Sequence, residues 1–272
     1  MAFLDLREWI GAVDALGDLK KVSGANIEED IGAISDVYQS NPGSEAVLFD
    51  DIPGYPSGYR VLSCLLSSPA RIALTFGFNP NYTLKETTKG IQNKLKNRAE
   101  LPPKVVKSGP ILENIQEGKD VDVTTFPSPL WHEKDGGKYI GTADLVITQD
   151  PDTGWVNVGT YRSMIHTKNE VGMLASRGKH GREHMEKYHD RGEPCPIAIV
   201  CGVNPELYWA SSVEIPHGVC EYDFVGWWRG KPVEVIKSQL TGLLIPANAE
   251  IVLEGGVLLP HPQRDVEPFE SI

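Results

Sequence analysis

The run NVGTYR (157–162) places an amide, two hydroxyl-bearing side chains and a guanidinium in one short segment. On a strand of period two, Asn157, Gly159 and Tyr161 face one side and Val158, Thr160 and Arg162 the other. A glycine inside such a strand permits close approach of a ligand to the backbone; an ordinary surface strand is the plainer reading. The run RGKHGREH (177–184) gathers Arg177, Lys179, His180 and Arg182 around two glycines. That charge suits a phosphate or carboxylate ligand, against the alternative of a solvated basic helix face. Within it, HGREH (180–184) matches the H-x-x-E-H pattern of inverted zinc peptidases, with His180 and His184 on one helical face, although Gly181 weakens a helix between them. Farther along, Glu214, Glu221 and Asp223 offer hard oxygen ligands. EIVLEG (250–255) reads as a buried strand with its two glutamates on one side, and DVEPFE (265–270) adds Glu267 and Glu270.

These groups need a scaffold. Leu6, Trp9, Ile10, Val13 and Leu16 recur at helical spacing and Gly17 stops the helix. A second helical pattern runs over 27–38, short buried strands over 46–49 and 60–66, and helices over 68–76 and 83–96. This first region has neither a G-x-G-x-x-G nor a P-loop pattern. LPPKVVKSGP (101–110) reads as a linker, after which the texture changes. Segments 139–148 and 155–166 alternate as paired strands around the turn QDPDTG, 170–191 reads as helix, and 197–203 and 250–253 as strands. The expectation is an α+β chain with an N-terminal α/β domain over 1–110 and a strand-rich domain over 111–272.

Composition narrows the function. At 40% hydrophobic and 23% charged residues, the chain is an ordinary globular one, long enough for a core without disulfide or metal staples. A net charge of −11 disfavours nucleic acid and anionic membranes as partners. No apolar run is long enough to span a bilayer. Charged residues Asp5, Arg7 and Glu8 sit where a signal peptide would be apolar, so a cytoplasmic location is expected. Cys64, Cys195, Cys201 and Cys220 have no C-x-x-C spacing and read as reduced thiols.

Taken in order, NVGTYR (157–162), RGKH (177–180), GVCEYDFVG (218–226) and ANAEIVLEG (247–255) resemble the UbiD family of prenylated-flavin-dependent decarboxylases. The resemblance implies a flavin-reductase-like split β-barrel after the α/β region. It also implies non-oxidative decarboxylation, or reversible carboxylation, of an aromatic or α,β-unsaturated carboxylic acid. A flavin prenyltransferase would supply the cofactor, prenylated FMN. By the same resemblance Asn157, His180 and Glu221 hold a manganese ion (Mn2+), and Val158, Ala210, Ser211 and Val213 share a potassium ion (K+) with Glu221. Thr160, Tyr161, Arg162, Gly172, Met173, Leu174, Arg177, Gly178 and Lys179 match flavin-contacting stretches. Arg162 is expected to hold the substrate carboxylate or a catalytic carboxylate, Glu270 to give the proton, and Glu267 to be its partner.

Family members pass from the LEG strand into an EGPFGE loop and a further α/β domain, whereas this chain reads RDVEPFESI to its end. The register of the acids is therefore open. So is the choice between a fragment, one part of a split enzyme with a partner subunit, and a degenerate member. A homo-oligomer is the other expected assembly. A non-catalytic flavin-binding subunit and a zinc peptidase stand as alternative functions.

Overall fold

The computed structural model describes residues 3–259. The Asp5 carboxylate caps α1 (Leu6–Ala15), accepting from the Glu8 N–H at 2.8 Å. There follow β1 (Leu19–Ser23), α2 (Asp30–Ser40), β2 (Ala46–Asp50) and β3 (Val61–Ser63), a three-stranded sheet in the order β1-β2-β3. Then come α3 (Pro69–Thr75) and α4 (Leu84–Leu95), the latter opened by a Thr83/Glu86 capping box. Trp9 and Val13 of α1 are fully buried beside Ala46, and the Trp9 indole N–H donates to Thr75 Oγ1 at 2.9 Å. Arg71 of α3 is fully buried, and its guanidinium donates to the carbonyls of Leu65, Ser44 and Cys64 and pairs with Asp18 at 2.7 Å. A buried cation is tolerated only when saturated in this way.

The second region holds β4 (Lys104–Val105), β5 (Tyr139–Gly141), β6 (Leu145–Gln149), β7 (Val156–Gly159), β8 (Ser163–Thr167), β9 (Glu170–Met173), α5 (His180–Asp190) and β10 (Cys195–Cys201). It continues through α6 (Pro205–Ser212), α7 (Glu221–Arg229), β11 (Glu234–Lys237), β12 (Leu244–Pro246) and β13 (Ile251–Val257). Three sheets form, in the orders β13-β10-β6-β7, β12-β11-β4 and β5-β8-β9. The chain thus mixes helix and sheet as expected. Leu145, Ile147, Val158, Ala198 and Val200 from the four-stranded sheet meet Tyr222, Phe224 and Val225 of α7 in the main core. All four cysteines are free. Among the described residues no helix is long and apolar enough to cross a membrane.

Three expectations are corrected. Residues 101–110 are not a free linker: β4 pairs in parallel with β11, and the Leu101 N–H donates to the Asp223 carbonyl at 3.3 Å. Pro102 and Pro103 keep this stretch extended, a conformation that a sheet edge accepts. The helix expected over 170–191 divides, because 170–173 pairs with β8 and α5 starts only at His180. Val171 and Met173 alternate onto one packed face, and this period of two prevails over the helical pattern. Finally, β13 is half-exposed rather than buried: Glu250, just ahead of it, pairs with Arg7 and Glu254 accepts from Thr241.

The two regions are locked together by charge and aromatic packing. Arg229 at the end of α7 forms a buried pair with Glu206 of α6 and donates to the Phe3 carbonyl at 2.8 Å. Phe76, just beyond α3, packs edge-on against Trp228 at 5.2 Å. Removing one member of a buried pair strands the other charge, which costs about 3–5 kcal/mol. Arg229→Leu is therefore expected to lose about that much in urea unfolding, and the Arg229→Leu/Glu206→Leu double variant to regain most of it. A single-variant loss below about 1 kcal/mol would show the pair to be dispensable.

Candidate functional site

β7 is the edge strand of the four-stranded sheet, yet every residue from Val156 to Gly159 is buried. Its Val158 N–H donates to a carboxylate oxygen of Glu221, the first residue of α7, at 2.7 Å. Glu221 is 4% exposed, and burial pushes its carboxyl up to about 8, because no cationic side chain among the described residues offsets the lost water. Asn157, 2% exposed, leaves its side-chain Nδ2 without a partner. Alongside, the Thr160 N–H donates to the Ser211 carbonyl at 3.1 Å, and the two hydroxyls meet at 2.7 Å. Ala210 and Ser211 close α6, with Val213 as its C-cap. A helix C-terminus carries partial negative charge. Glu221 and the carbonyls at the end of α6 are acceptors that a cation would complete, whereas the unpaired Asn157 group is the amide N–H, so Asn157 would reach a cation through its Oδ1.

His180 starts α5, packed against the rings of Trp155 at 4.9 Å and His217 at 5.3 Å. Burial lowers its pKa and so favours the neutral, ligating imidazole. Tyr161 tucks its ring beneath Gly159 and Gly181, where an added Cβ would meet it at 2.7 Å and 3.0 Å. Its hydroxyl accepts from the Gly181 N–H at 3.2 Å, seating the α5 N-terminus over β7. Gly178 turns the chain into α5 with φ +80°. Arg162, Arg177 and Lys179 are exposed, and none forms a salt bridge among the described residues. Cationic side chains at a helix N-terminus suit an anion.

The strand alternation expected for 157–162 ends at Gly159, because 160–162 leave β7 before β8 begins; Tyr161 is buried and Arg162 exposed. Gly172 and Met173 lie on β9 and line a cleft of about 2280 Å³ between the two regions, while Leu174 is half-exposed beside it. Arg162, His180 and Glu221 do not line that cleft. Glu214 is exposed on the loop after α6, near enough for its charge to act on the His180 imidazole, but it joins no group of three ligands among the described residues. Glu267 and Glu270 lie outside the described residues.

The zinc pattern does not assemble. His184 is fully buried with Nδ1 2.9 Å from Thr148 Oγ1, and the Trp155 indole packs edge-on against both His180 and His184, at 4.9 Å and 5.0 Å, where a shared ion would need open space. Among the described residues no three His, Cys, Asp or Glu side chains gather as a metal site. A cation here would therefore need the Asn157 amide or backbone carbonyls as well.

Spacing along the chain gives no sign of Trp155, His217, Thr148 or Asp144 as site residues. Asp144 stands out only as a lone acid in the apolar run GTADLVIT. It is fully buried at the cleft, with one oxygen accepting from Ser163 Oγ at 2.5 Å and the other without a partner.

Residues 104–271 match the 3-octaprenyl-4-hydroxybenzoate carboxy-lyase Rift-related domain, and residues 10–90 its N-terminal domain. The chain belongs to the UbiD family. It is 35% identical over 268 residues to a pyrrole-2-carboxylic acid decarboxylase of Pseudomonas aeruginosa, covering 94% of this chain and 53% of that protein. With a phenolic acid decarboxylase of Sedimentibacter hydroxybenzoicus it shares 34% identity over 280 residues, covering 98% of this chain and 57% of the relative. The fold superimposes on vanillic acid decarboxylase of that organism in its closed form, with a TM-score of 0.89 at 32% identity, over 95% of this chain and 56% of the other. It also superimposes on a UbiD-class enzyme of Pelotomaculum thermopropionicum in complex with prFMN, with a TM-score of 0.83 at 27% identity, over 94% and 58% of the two chains. The chain thus spans little more than half the length of these relatives.

Burial raises the Asp144 carboxyl to about 6. A raised acid pKa means that the fold retains a proton that the unfolded chain releases. The group's contribution is therefore greatest below the unfolded value near 3.8 and is lost as pH climbs through about 6. The loss amounts to about 3 kcal/mol at most. Asp144→Asn, which cannot ionise, is expected to remove this part of the decline in urea-unfolding stability between pH 4 and 7; an unchanged slope would contradict the assignment.

Proposed function

We propose that this chain carries the metal- and flavin-binding part of a UbiD-type carboxy-lyase acting on an aromatic or α,β-unsaturated carboxylic acid. The observation that carries the reading is the buried, cation-seeking Glu221 beside Asn157, set next to the cationic approach to α5. Asn157, His180 and Glu221 would hold Mn2+, a mixed oxygen and nitrogen set suited to that ion. Glu221 with the backbone oxygens of Val158, Ala210, Ser211 and Val213 would hold K+. Arg177, Gly178 and Lys179, at the start of α5, would hold the flavin phosphate. Thr160, Arg162 and, around the end of β9, Gly172, Met173 and Leu174 would contact the flavin. Tyr161 acts by seating α5.

The reaction replaces a carboxylate by a proton, R–COO⁻ + H⁺ giving R–H and CO₂. Prenylated FMN, when bound, supplies the electron sink that no side chain provides. Arg162 would grip the carboxylate through its planar fork. Glu270, with Glu267 as its partner, would hold the proton to be delivered. Protein produced together with a flavin prenyltransferase in the cytoplasm is expected to carry this cofactor, working as a homo-oligomer or with a partner subunit. A non-catalytic or partial flavin-binding subunit of a split enzyme is the second reading.

The deciding measurement is the absorbance spectrum and manganese content of the chain so produced; absence of both flavin and manganese would sink the proposal. Glu221→Ala is expected to lose most of the bound metal and flavin, because one carboxylate serves two cations. Arg162→Lys should keep fold and flavin yet lose at least about tenfold in turnover, since an ammonium cannot make the bidentate contact. Turnover near the wild-type rate in Arg162→Lys would exclude direct substrate contact.

A further inference from the structure

The second histidine of HGREH takes no part in the proposed site, yet it is fully enclosed, an expensive place for an imidazole. Its Nδ1 shares a 2.9 Å hydrogen bond with Thr148 Oγ1, and its Nε2 has no partner. Thr148 stands on β6 directly across the antiparallel ladder from Asn157 of β7, so the two side chains share a face of the sheet. His184 sits one turn beyond His180 on α5, on the same helical face. One buried hydrogen bond therefore ties the strand pair bearing Asn157 to the helix bearing His180. Trp155, at the other end of the hairpin that joins β6 to β7, packs against His180, His184 and His217 at 4.9, 5.0 and 4.5 Å. Among the other ties of α5, the Tyr161 hydroxyl meets the Gly181 N–H at its start, Lys187 pairs with the buried Asp150 at 2.6 Å, and Arg191, just past its end, pairs with Asp152 on the surface.

From this geometry we infer that Thr148 and His184 are positioning residues which, with Trp155 as spacer, set where the His180 imidazole stands relative to Asn157. The inference rests on the reading of those two as metal ligands. A leucine at 184 would fill the same volume; a histidine adds a directional bond, and that bond sets the rotation and height of α5 over the sheet. Trp155 occupies the space between the two imidazoles, so His180 alone is presented toward a ligand. Partners that orient metal ligands typically account for 10- to 100-fold in metal affinity.

The test uses the metal-free 272-residue chain titrated with MnCl2 and followed by electron paramagnetic resonance. Thr148→Val removes the hydroxyl at nearly constant volume and is expected to weaken Mn2+ binding by at least about 10-fold. Thr148→Ser keeps the hydroxyl and restores affinity. Arg191→Met cuts an exposed ion pair to Asp152 just past the far end of the same helix and is expected to leave Mn2+ affinity unchanged, with at most a small loss of thermal stability. Independently of any metal, the imidazole ¹⁵N resonances of His180 shift in Thr148→Val and return in Thr148→Ser. Wild-type Mn2+ affinity in Thr148→Val, whatever its stability, overturns the inference. If the wild-type chain binds no Mn2+, the ligand assignment falls, and unmoved His180 resonances in Thr148→Val then overturn the positioning role as well.

Discussion

A carboxylate removed from water demands either a proton or a positive partner, and among the described residues Glu221 meets backbone N–H groups, chiefly that of Val158, and no cation. This constraint organises the second region. The start of α7 meets β7 there, the carbonyl end of α6 lies alongside through the Thr160–Ser211 contacts, and Asn157 is buried on the same strand. Hydrophobic packing alone gives no reason for an ionisable group there. The main core beneath, from Leu145 and Ile147 to Tyr222 and Phe224, makes the placement rigid.

Two fields of opposite sign meet across this short distance. On one side are oxygens: Glu221 and the helix-end carbonyls. On the other, the start of α5 offers Arg177, Lys179 and a positive helix end. An overall charge of −11 would repel a phosphorylated ligand from most of the surface, so the local reversal marks where one would bind. Tyr161 holds the two fields together mechanically, since its hydroxyl meets the Gly181 N–H while its ring fills the space left by Gly159 and Gly181.

The N-terminal region supports the site from a distance. Its helix α1 ties to the second region through Arg7, whose guanidinium makes a double hydrogen bond to Glu250 at 2.6 and 2.7 Å on the rim of the large cleft. Arg229 reaches back to Phe3 on another side. The cleft between the regions takes its shape from these ties, and the buried Asp144 lies at its wall.

Much of this architecture is legible in the amino-acid sequence by itself. Helical spacing reveals α1 and α4, the QDPDTG turn reveals the β6–β7 hairpin, and the ordered runs around Asn157, His180 and Glu221 reveal the family. Such features are local: periodicity, turn chemistry and spacing belong to neighbouring residues. What the sequence leaves open depends on partners far along the chain. EVGM (170–173) carries both helical and strand periods, and only pairing with β8 decides for a strand. HGREH presents two histidines at metal-binding spacing, yet Thr148, thirty-six residues before His184, claims one, and Trp155 fills the gap between them. α6 and α7 are too short for a clear helical period, although Asn204 and Pro205 mark the start of one and Gly230 the end of the other. A lone acid such as Asp144 looks like any surface carboxylate until the fold closes over it. Burial and long-range contact decide which polar groups become a site, and neither is a property of spacing along the chain.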